Sequence, residues 1–377
     1  MKIAAKTTQF ATRSLIAAVL IMLTYDTTNC YAQQARYLLA LSKNDHTLAI
    51  IDPGTLKVIA RVPVGPDPHE VIASADGKTA YVSNYAGGTL HELDIIDLVA
   101  KKALPSYDTE PLIGLHGLYF AQGKLWFTAE GSKTIGRFDP QTGQVDWAMG
   151  TGQDRTHMIY VTADGKKVYT TNVASGTVSL IVDTLMANGF GGPPSGGRPI
   201  GFTPPPGARL NGPQPKPNGF GPPGGLRRQW EQTLISVSKG SEGFDVSPDG
   251  RELWTAAAND GTIAIIDLIN GKLSTTIDAK AMGANRLKFT PDGKRVLVTS
   301  LNTGDLFIYS VTTHELLKKI NTGRGAAGIL VDTDGSRVFI GCTADNYVAV
   351  VDLNTLQVTG HIDVGGGPDG LAWAEQH

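Results

Sequence analysis

Three histidines and a glutamate recur at equivalent points of a repeated stretch in this 377-residue sequence. His69, His116, His157 and Glu242 each precede a turn-forming Asp-Gly or Gln-Gly pair by a similar distance along the chain. Neutral imidazoles together with a carboxylate are suitable ligands for zinc, copper or iron. The same groups suit general acid–base chemistry, because histidine titrates near neutral pH. If the fold brings them together, the four residues are a candidate site for one divalent metal ion.

A repeating unit of 41 to 47 residues sets this spacing. An Asp-Gly pair recurs in it, and each glycine supplies the positive φ that a tight hairpin needs. Short apolar runs rich in Val, Ile, Thr and Tyr flank these turns, as is typical of strands. The unit is therefore predicted to be four short antiparallel strands. The Asp-Gly pairs are Asp76-Gly77, Asp164-Gly165, Asp249-Gly250, Asp292-Gly293 and Asp334-Gly335.

The number of units follows from the residue that begins each innermost strand. The gap of 85 residues between His157 and Glu242 is twice the usual spacing. A 43-residue Gly/Pro-rich tract, 186–228, accounts for the excess and is an insertion in the fourth unit. Seven strand starts remain: His69, His116, His157, Glu242, Asn285, Ala327 and Asp369.

The first unit lacks an innermost strand of its own, and the segment 368–373 has the sequence of one. We therefore predict an all-β, seven-bladed β-propeller with four antiparallel strands per blade. The C-terminal strand completes the N-terminal blade, and this closure leaves no free sheet edge in the ring. An open β-solenoid of the same period is the alternative, and it would leave an end strand unpaired.

Strand alternation places the seven strand starts on one face, here called the top, at the mouth of the axial channel. The insertion then lies on the opposite face. Arg155, Arg286 and Arg324 are predicted near the mouth, where they would bind a carboxylate or phosphate. They would alternatively pair with nearby acids. The candidate ligand-binding residues are Asn285, Arg286, Arg324, Asp369 and Arg155.

Several segments carry a family resemblance. The stretches YVSNYAGGTLHELDIID, TTNVASGTVSLIVD and EGFDVSPDGRELWTAAANDGTIAIIDL resemble the YVTN-repeat family of secreted bacterial β-propellers, over residues 36–185 and 229–377. The resemblance implies the fold but not one activity, since related propellers include lactonases, streptogramin lyases and heavy chains of periplasmic quinoprotein dehydrogenases.

Three functions follow as hypotheses. The first is a binding or accessory module that holds a small molecule or a periplasmic protein at its top face. The second is an enzyme, either a metal-assisted lactone hydrolase or a lyase, with His116, His157 and Glu242 as catalytic residues. A calcium-type lactonase would instead take oxygen ligands from Glu242, Asn285 and Asp369. The third is a non-catalytic interaction scaffold.

The N-terminal segment indicates the compartment. A basic start with Lys2, Lys6 and Arg13 precedes the apolar run 15–23, and small residues flank a cleavage site after Ala32. This is the pattern of a secretory signal peptide, 1–32, ahead of a single propeller domain, 33–377. An uncleaved amphipathic start is the alternative. Export predicts a periplasmic or extracellular protein in which Cys342 is the only cysteine, buried as a small apolar residue.

Composition and motifs exclude other classes. A formal net charge of −2 gives no support to nucleic-acid binding, and the run 15–23 is too short to span a membrane. The segment 323–328 matches GxGxxG but precedes a predicted strand, so no dinucleotide site is expected. No CxxCH motif for covalent haem occurs. The insertion is predicted to be a mobile loop, either a docking arm or a tolerated expansion, and the closed ring predicts a monomer.

Overall fold

The computed structural model describes residues 35–187 and 226–377, and within them it has seven antiparallel sheets of four strands each. The predicted signal peptide and most of the Gly/Pro-rich insertion lie outside the described residues. Blade 1 contains β1 (Arg36–Ser42), β2 (Thr47–Asp52) and β3 (Lys57–Pro63); blade 2 contains β4 (Pro68–Ala73), β5 (Thr79–Asn84), β6 (Glu92–Asp97) and β7 (Lys102–Asp108). Blade 3 contains β8 (Leu115–Ala121), β9 (Lys124–Ala129), β10 (Thr134–Asp139) and β11 (Gln144–Gly150); blade 4 contains β12 (Thr156–Val161), β13 (Lys167–Asn172), β14 (Thr177–Ala187) and β15 (Leu226–Ser236).

The remaining strands complete the ring. Blade 5 contains β16 (Ser241–Val246), β17 (Glu252–Ala257), β18 (Ile263–Asp267) and β19 (Lys272–Ile277); blade 6 contains β20 (Ala284–Phe289), β21 (Arg295–Ser300), β22 (Asp305–Ser310) and β23 (Leu316–Asn321). Blade 7 contains β24 (Ala326–Val331), β25 (Arg337–Cys342), β26 (Tyr347–Asp352) and β27 (Gln357–Ile362); β28 (Pro368–Glu375) joins blade 1. The described helical structure is a single 3-10 turn, Ala86–Gly88, and no described helix is long and apolar enough to cross a bilayer.

The predicted ring closure is confirmed. Strand β28 pairs with β1, from Arg36 opposite Glu375 to Ser42 opposite Pro368, so the sheet order of blade 1 is β28-β1-β2-β3. One strand of each blade lines the axis: β28, β4, β8, β12, β16, β20 and β24. The outermost strands are β3, β7, β11, β15, β19, β23 and β27. The predicted hairpin glycines also adopt positive φ, for example 66° at Gly77 and 71° at Gly250.

Apolar sheet faces pack against each other to form the core between blades. One buried cluster joins Leu39 and Ile50 of blade 1 to Val82 and Ile96 of blade 2. Aromatic residues extend this packing around the ring, and Trp254 of blade 5 meets Phe289 of blade 6 at 5.8 Å between ring centroids. Trp254 is fully buried and is therefore a packing residue.

Cys342 is buried, as predicted for a small apolar residue in a strand. Burial raises the pKa of its thiol to about 11. The thiol contacts the Thr322 carbonyl oxygen at 3.3 Å. It is therefore a packing residue, protonated at neutral pH.

The boundaries predicted for the insertion need a correction. Met186 pairs with Arg227, and Leu185 with Arg228, because β14 and β15 each continue for 11 residues. The hairpin is therefore longer than its neighbours, and residues 186, 187 and 226–228 of the predicted insertion belong to paired strands. Paired strands can extend here because the third and fourth strands meet at the bottom rim, with no blade beyond them.

The innermost strands approach one another closely around the axis. Gly117, Gly243, Gly328 and Gly370 occupy the position after each strand start, and a Cβ there would lie 1.9 to 2.5 Å from backbone of the next inner strand. Only glycine permits that approach. The other three blades carry side chains at this level: Glu70, Met158 and Arg286.

Candidate functional site

The seven predicted strand starts meet in one cavity of about 210 Å³, here called the mouth cavity. Six are polar, and Ala327 is the exception. Lys43, Tyr85, Arg155 and Arg286 also line it, from neighbouring turns and inner strands. The prediction that the repeats converge at one mouth of the channel therefore agrees with the observed positions.

The histidines of blades 2, 3 and 4 form a row. The ring centroids of His69 and His116 lie 4.9 Å apart, and those of His116 and His157 lie 3.7 Å apart. His116 and His157 are almost completely buried, at 1% and 3% exposure. Their side chains therefore lie between blades as well as at the cavity wall.

Glu130, which follows β9, holds the third histidine of this row. One oxygen contacts His157 Nδ1, and Oε2 accepts a hydrogen bond from the Tyr85 hydroxyl at 2.5 Å. Burial raises the pKa of Glu130, but the contacts with His157 and Tyr85 and the charge of Arg155 bring it below its ordinary value. An ionised Glu130 fixes the proton of His157 on Nδ1. The buried Nε2 of His157 has no hydrogen-bond partner.

His116 is neutral at pH 7. Burial lowers its pKa well below 6.5, and electrostatic interactions with His157, His69, Arg286 and Lys43 lower it further. Its buried Nδ1 also lacks a partner. A neutral imidazole carries one N–H donor and one acceptor nitrogen, so His116 can donate to a bound carbonyl oxygen or coordinate a metal ion.

His69 is engaged in a charged network. Its Nε2 lies 2.7 Å from Lys43 Nζ, and Lys43 also contacts Asp67 at 3.3 Å and Asp369 at 3.4 Å. The hydrogen bond from His69 and the charges of His69 and Lys43 hold the pKa of Asp67 far below its usual range, despite some burial. The predicted metal ligand His69 therefore has its Nε2 occupied.

Glu242 belongs to a second network of hydrogen bonds and ion pairs, on the other side of the mouth cavity. Its Oε2 accepts from Asn285 Nδ2 at 2.5 Å, and its Oε1 lies 3.4 Å from Arg155 Nη2. Asn285 Oδ1 and Asp369 Oδ1 are buried without hydrogen-bond partners. With His116 Nδ1, His157 Nε2 and Arg286 Nη1, five unpartnered polar atoms belong to residues that line this one small cavity.

Arg286 crosses the axis. Its Nη2 donates to Glu70 Oε1 at 2.5 Å, and the two side chains are 9% and 12% exposed. They come from blades 6 and 2, on opposite sides of the ring. Arg324 lies elsewhere: it pairs with Asp345 at 2.7 Å, is largely exposed, and is not among the residues that line the mouth cavity.

The residues whose potential metal-ligand atoms lie nearest to one another are not the set that was predicted. Ligand atoms of His116, His157 and Glu130 lie within 4.8 Å of one another, and all three residues are buried. Glu130 is the carboxylate of this set instead of the predicted Glu242, and His69 is not part of it. The signal for Glu130 in the sequence is an acid directly after a second strand, where blades 2 and 4 carry Tyr85 and Val173.

Solved structures of other proteins share the fold. The chain matches a protein of unknown function from Desulfotomaculum acetoxidans at TM-score 0.66 and 11% identity, over 91% of this chain and 100% of that one. It matches a 6-phosphogluconolactonase-like protein from Bacteroides uniformis at TM-score 0.66 and 14% identity, over 90% and 100%. Hydrazine synthase from Kuenenia stuttgartiensis matches at TM-score 0.59 and 16% identity, over 81% and 89%.

These identities are low enough that the likeness shows the seven-bladed fold alone. No family model and no curated protein sequence matches the chain.

Proposed function

We propose that the protein is an exported, monomeric propeller of the YVTN type that binds a small cyclic ester in its mouth cavity and hydrolyses it. The observation that carries the proposal is the pair formed by Glu130 and His157. It resembles the carboxylate–histidine arrangement of general-base catalysis, in which the carboxylate fixes the imidazole tautomer. The lactonase-like structural neighbours support the choice of substrate class.

In the proposed hydrolysis, His157 and His116 each have one role. His157 Nε2 takes a proton from water as the water oxygen bonds to the ester carbonyl carbon. The N–H of neutral His116 donates to the carbonyl oxygen, where negative charge develops. The ring C–O bond then breaks, and the proton held by His157 passes to the leaving alkoxide. Glu242 positions Asn285 and Arg155 at the opposite wall.

A panel of γ- and δ-lactones tests the proposal, with acid release as the readout. We expect turnover by the wild-type protein and a loss of about 10²–10⁴-fold in kcat/KM for His157→Gln. His91→Gln is the matched control and should retain activity, because His91 is half-buried beside Asp108 and lies outside the mouth cavity. No turnover of any lactone by the folded protein would overturn the proposal. Binding without turnover would favour the accessory-module hypothesis.

A divalent metal ion is the second candidate occupant. The mouth network contains more carboxylates than cations, since Asp67, Glu70, Glu130, Glu242 and Asp369 contact Lys43, Arg155 and Arg286. Two imidazoles and one carboxylate suit zinc or iron(II), with open positions for water. Coordination by Glu130 would replace its contact with His157, so this candidate and direct general-base catalysis exclude each other.

Elemental analysis of untagged protein decides between the two. Near-stoichiometric metal that is lost in His116→Ala and His157→Ala but retained in His69→Ala would assign His116, His157 and Glu130. Loss in His69→Ala as well would favour the set drawn from the sequence, His69, His116, His157 and Glu242. A metal-free wild-type protein that still hydrolyses a lactone would eliminate the metal candidate.

A further inference from the structure

The axial channel holds a second cavity, here called the lower chamber, deeper along the same inner strands. Its volume is about 330 Å³, which exceeds that of the mouth cavity. This is at the lower end of the range for small-molecule sites, about 300–1,000 Å³. Every inner strand of the ring contributes to its wall.

The ion pair of Glu70 and Arg286 separates the two cavities. Arg286 lines both, whereas Glu70 lines the lower chamber. The pair joins blades 2 and 6 across the axis, at the level where four of the seven blades have glycine and no side chain. A ligand in the lower chamber is therefore bounded at the top by this pair and is distinct from a ligand in the mouth.

The walls of the lower chamber are mainly apolar and aromatic. Tyr119 and Tyr160 lie with ring centroids 4.9 Å apart, and both retain accessible surface, as do Met158 and Leu330. Burial raises the pKa of both tyrosines, so both hydroxyls are neutral at physiological pH. Such walls favour an apolar or aromatic ligand body.

The charges of the chamber favour a neutral ligand. Arg286 is paired with Glu70, and Lys288 lies 3.4 Å from Asp245, so the two pairs cancel. Burial lowers the pKa of Arg286, but the charges of Glu70, Asp369 and Glu242 outweigh this and raise it. An anion would enter the field of those carboxylates, and a cation would compete with a guanidinium that is already in place.

One polar group remains to be satisfied. Arg286 is 8% exposed, and its Nη1 has no hydrogen-bond partner. A buried donor left unpaired is destabilising, and a ligand oxygen that accepts a hydrogen bond from it would offset part of that penalty. We propose that the lower chamber is a second binding site, for a neutral, largely aromatic molecule with one carbonyl oxygen.

Three probes of similar size test this chemistry by calorimetry. Acetophenone has the ring and the carbonyl, toluene lacks the acceptor, and benzoate replaces the ketone with a charge. We expect acetophenone to bind at least tenfold more tightly than either of the others. Equal affinity for benzoate would overturn the assignment of a neutral ligand, and equal affinity for toluene would overturn the role of Arg286 Nη1.

Filling variants locate the site. Met158→Trp and Leu330→Trp reduce the free volume, and each should weaken acetophenone binding at least tenfold. Ile269→Trp is the control, because Ile269 is 72% exposed and lies outside the chamber. Thermal unfolding verifies that all three fold, and a crystal soaked with acetophenone shows the position directly. Density in the mouth cavity, or unchanged affinity in both filling variants, would overturn the proposal.

Discussion

The mouth cavity and the lower chamber are lined by the same seven strands but differ in chemistry. The second residue of each inner strand lines the mouth, and six of these seven are polar. The following residues build the lower chamber, where glycines and apolar side chains predominate, except at Glu70, Arg286, Asp245 and Lys288. A difference of one to three residues along a repeated strand is therefore sufficient to give one channel two environments. The repeat positions the residues, and the individual side chains determine which chemistry each level can support.

Breaking the ion pair between the cavities should have the largest effect on stability. Arg286→Met leaves Glu70 buried without a partner, and the free energy of unfolding should fall by about 3–5 kcal/mol. The double variant Glu70→Gln/Arg286→Met removes both charges and should recover most of that loss. Denaturant unfolding measures both. A single variant as stable as the wild type would show that the pair does not couple the two sides of the ring.

Glu130→Gln tests the mouth by removing the charge that orients His157. We expect kcat for lactone hydrolysis to fall about 100-fold while KM changes little, because the residue acts through His157 and does not touch the substrate. Glu130→Asp should restore part of the activity. An unchanged kcat, or a loss expressed only in KM, would contradict this positioning role.

The pH dependence of the free energy of unfolding tests His116, a residue of the mouth cavity. The pKa of His116 is lower in the folded protein than in the unfolded chain, so the unfolded chain binds more protons below about pH 6.5. Stability should therefore fall as the pH decreases from that value, by at most about 1.4 kcal/mol per pH unit for this one group. Unfolding at pH 7.5 and pH 5.5 measures the slope. His116→Gln should reduce it, and an equal slope in the variant would assign it to other groups.

The smallest expected effects are changes in KM for variants of Arg155 and Arg324, which the sequence analysis predicted to lie together near the mouth. Arg155 lines the mouth and contacts Glu242, so Arg155→Gln should raise KM several-fold. Arg324 pairs with Asp345 outside the cavity, and Arg324→Gln should leave KM within about twofold, as expected for an exposed ion pair. Steady-state kinetics on the best lactone provides both values. A larger effect for Arg324→Gln would place the ligand farther out on the top face.

The fold and the ring of strand starts could be predicted because both follow from periodicity. A fixed spacing puts equivalent residues at equivalent heights, so His116 and Asn285 are found together without any knowledge of side-chain packing. The closing strand was equally predictable, since the first unit lacked one and the end of the chain matched it.

The contacts that define the chemistry could not be predicted in the same way. Glu130 reaches His157 from the neighbouring blade, and that pairing depends on side-chain direction at the end of a strand. The pair of Glu70 and Arg286 depends on which blades face each other across a ring of seven and on the direction of two long side chains. The hairpin of β14 and β15 continues beyond the predicted boundary because strand pairing there is limited by neighbouring structure, not by composition.

The closing ladder also determines how the ring responds to force. Arg36 and Glu375 are paired at one end of the ladder, so tension applied to the two ends of the propeller would act on that pair first. In this geometry the hydrogen bonds separate one after another, as in a zipper, whereas a sheared ladder resists with all its bonds at once. Tension between the two ends of the propeller would thus separate β28 from β1 before it reached the other blades. The pairing of β1 with β28, which closes the ring, is therefore also the part of the ring that tension reaches first.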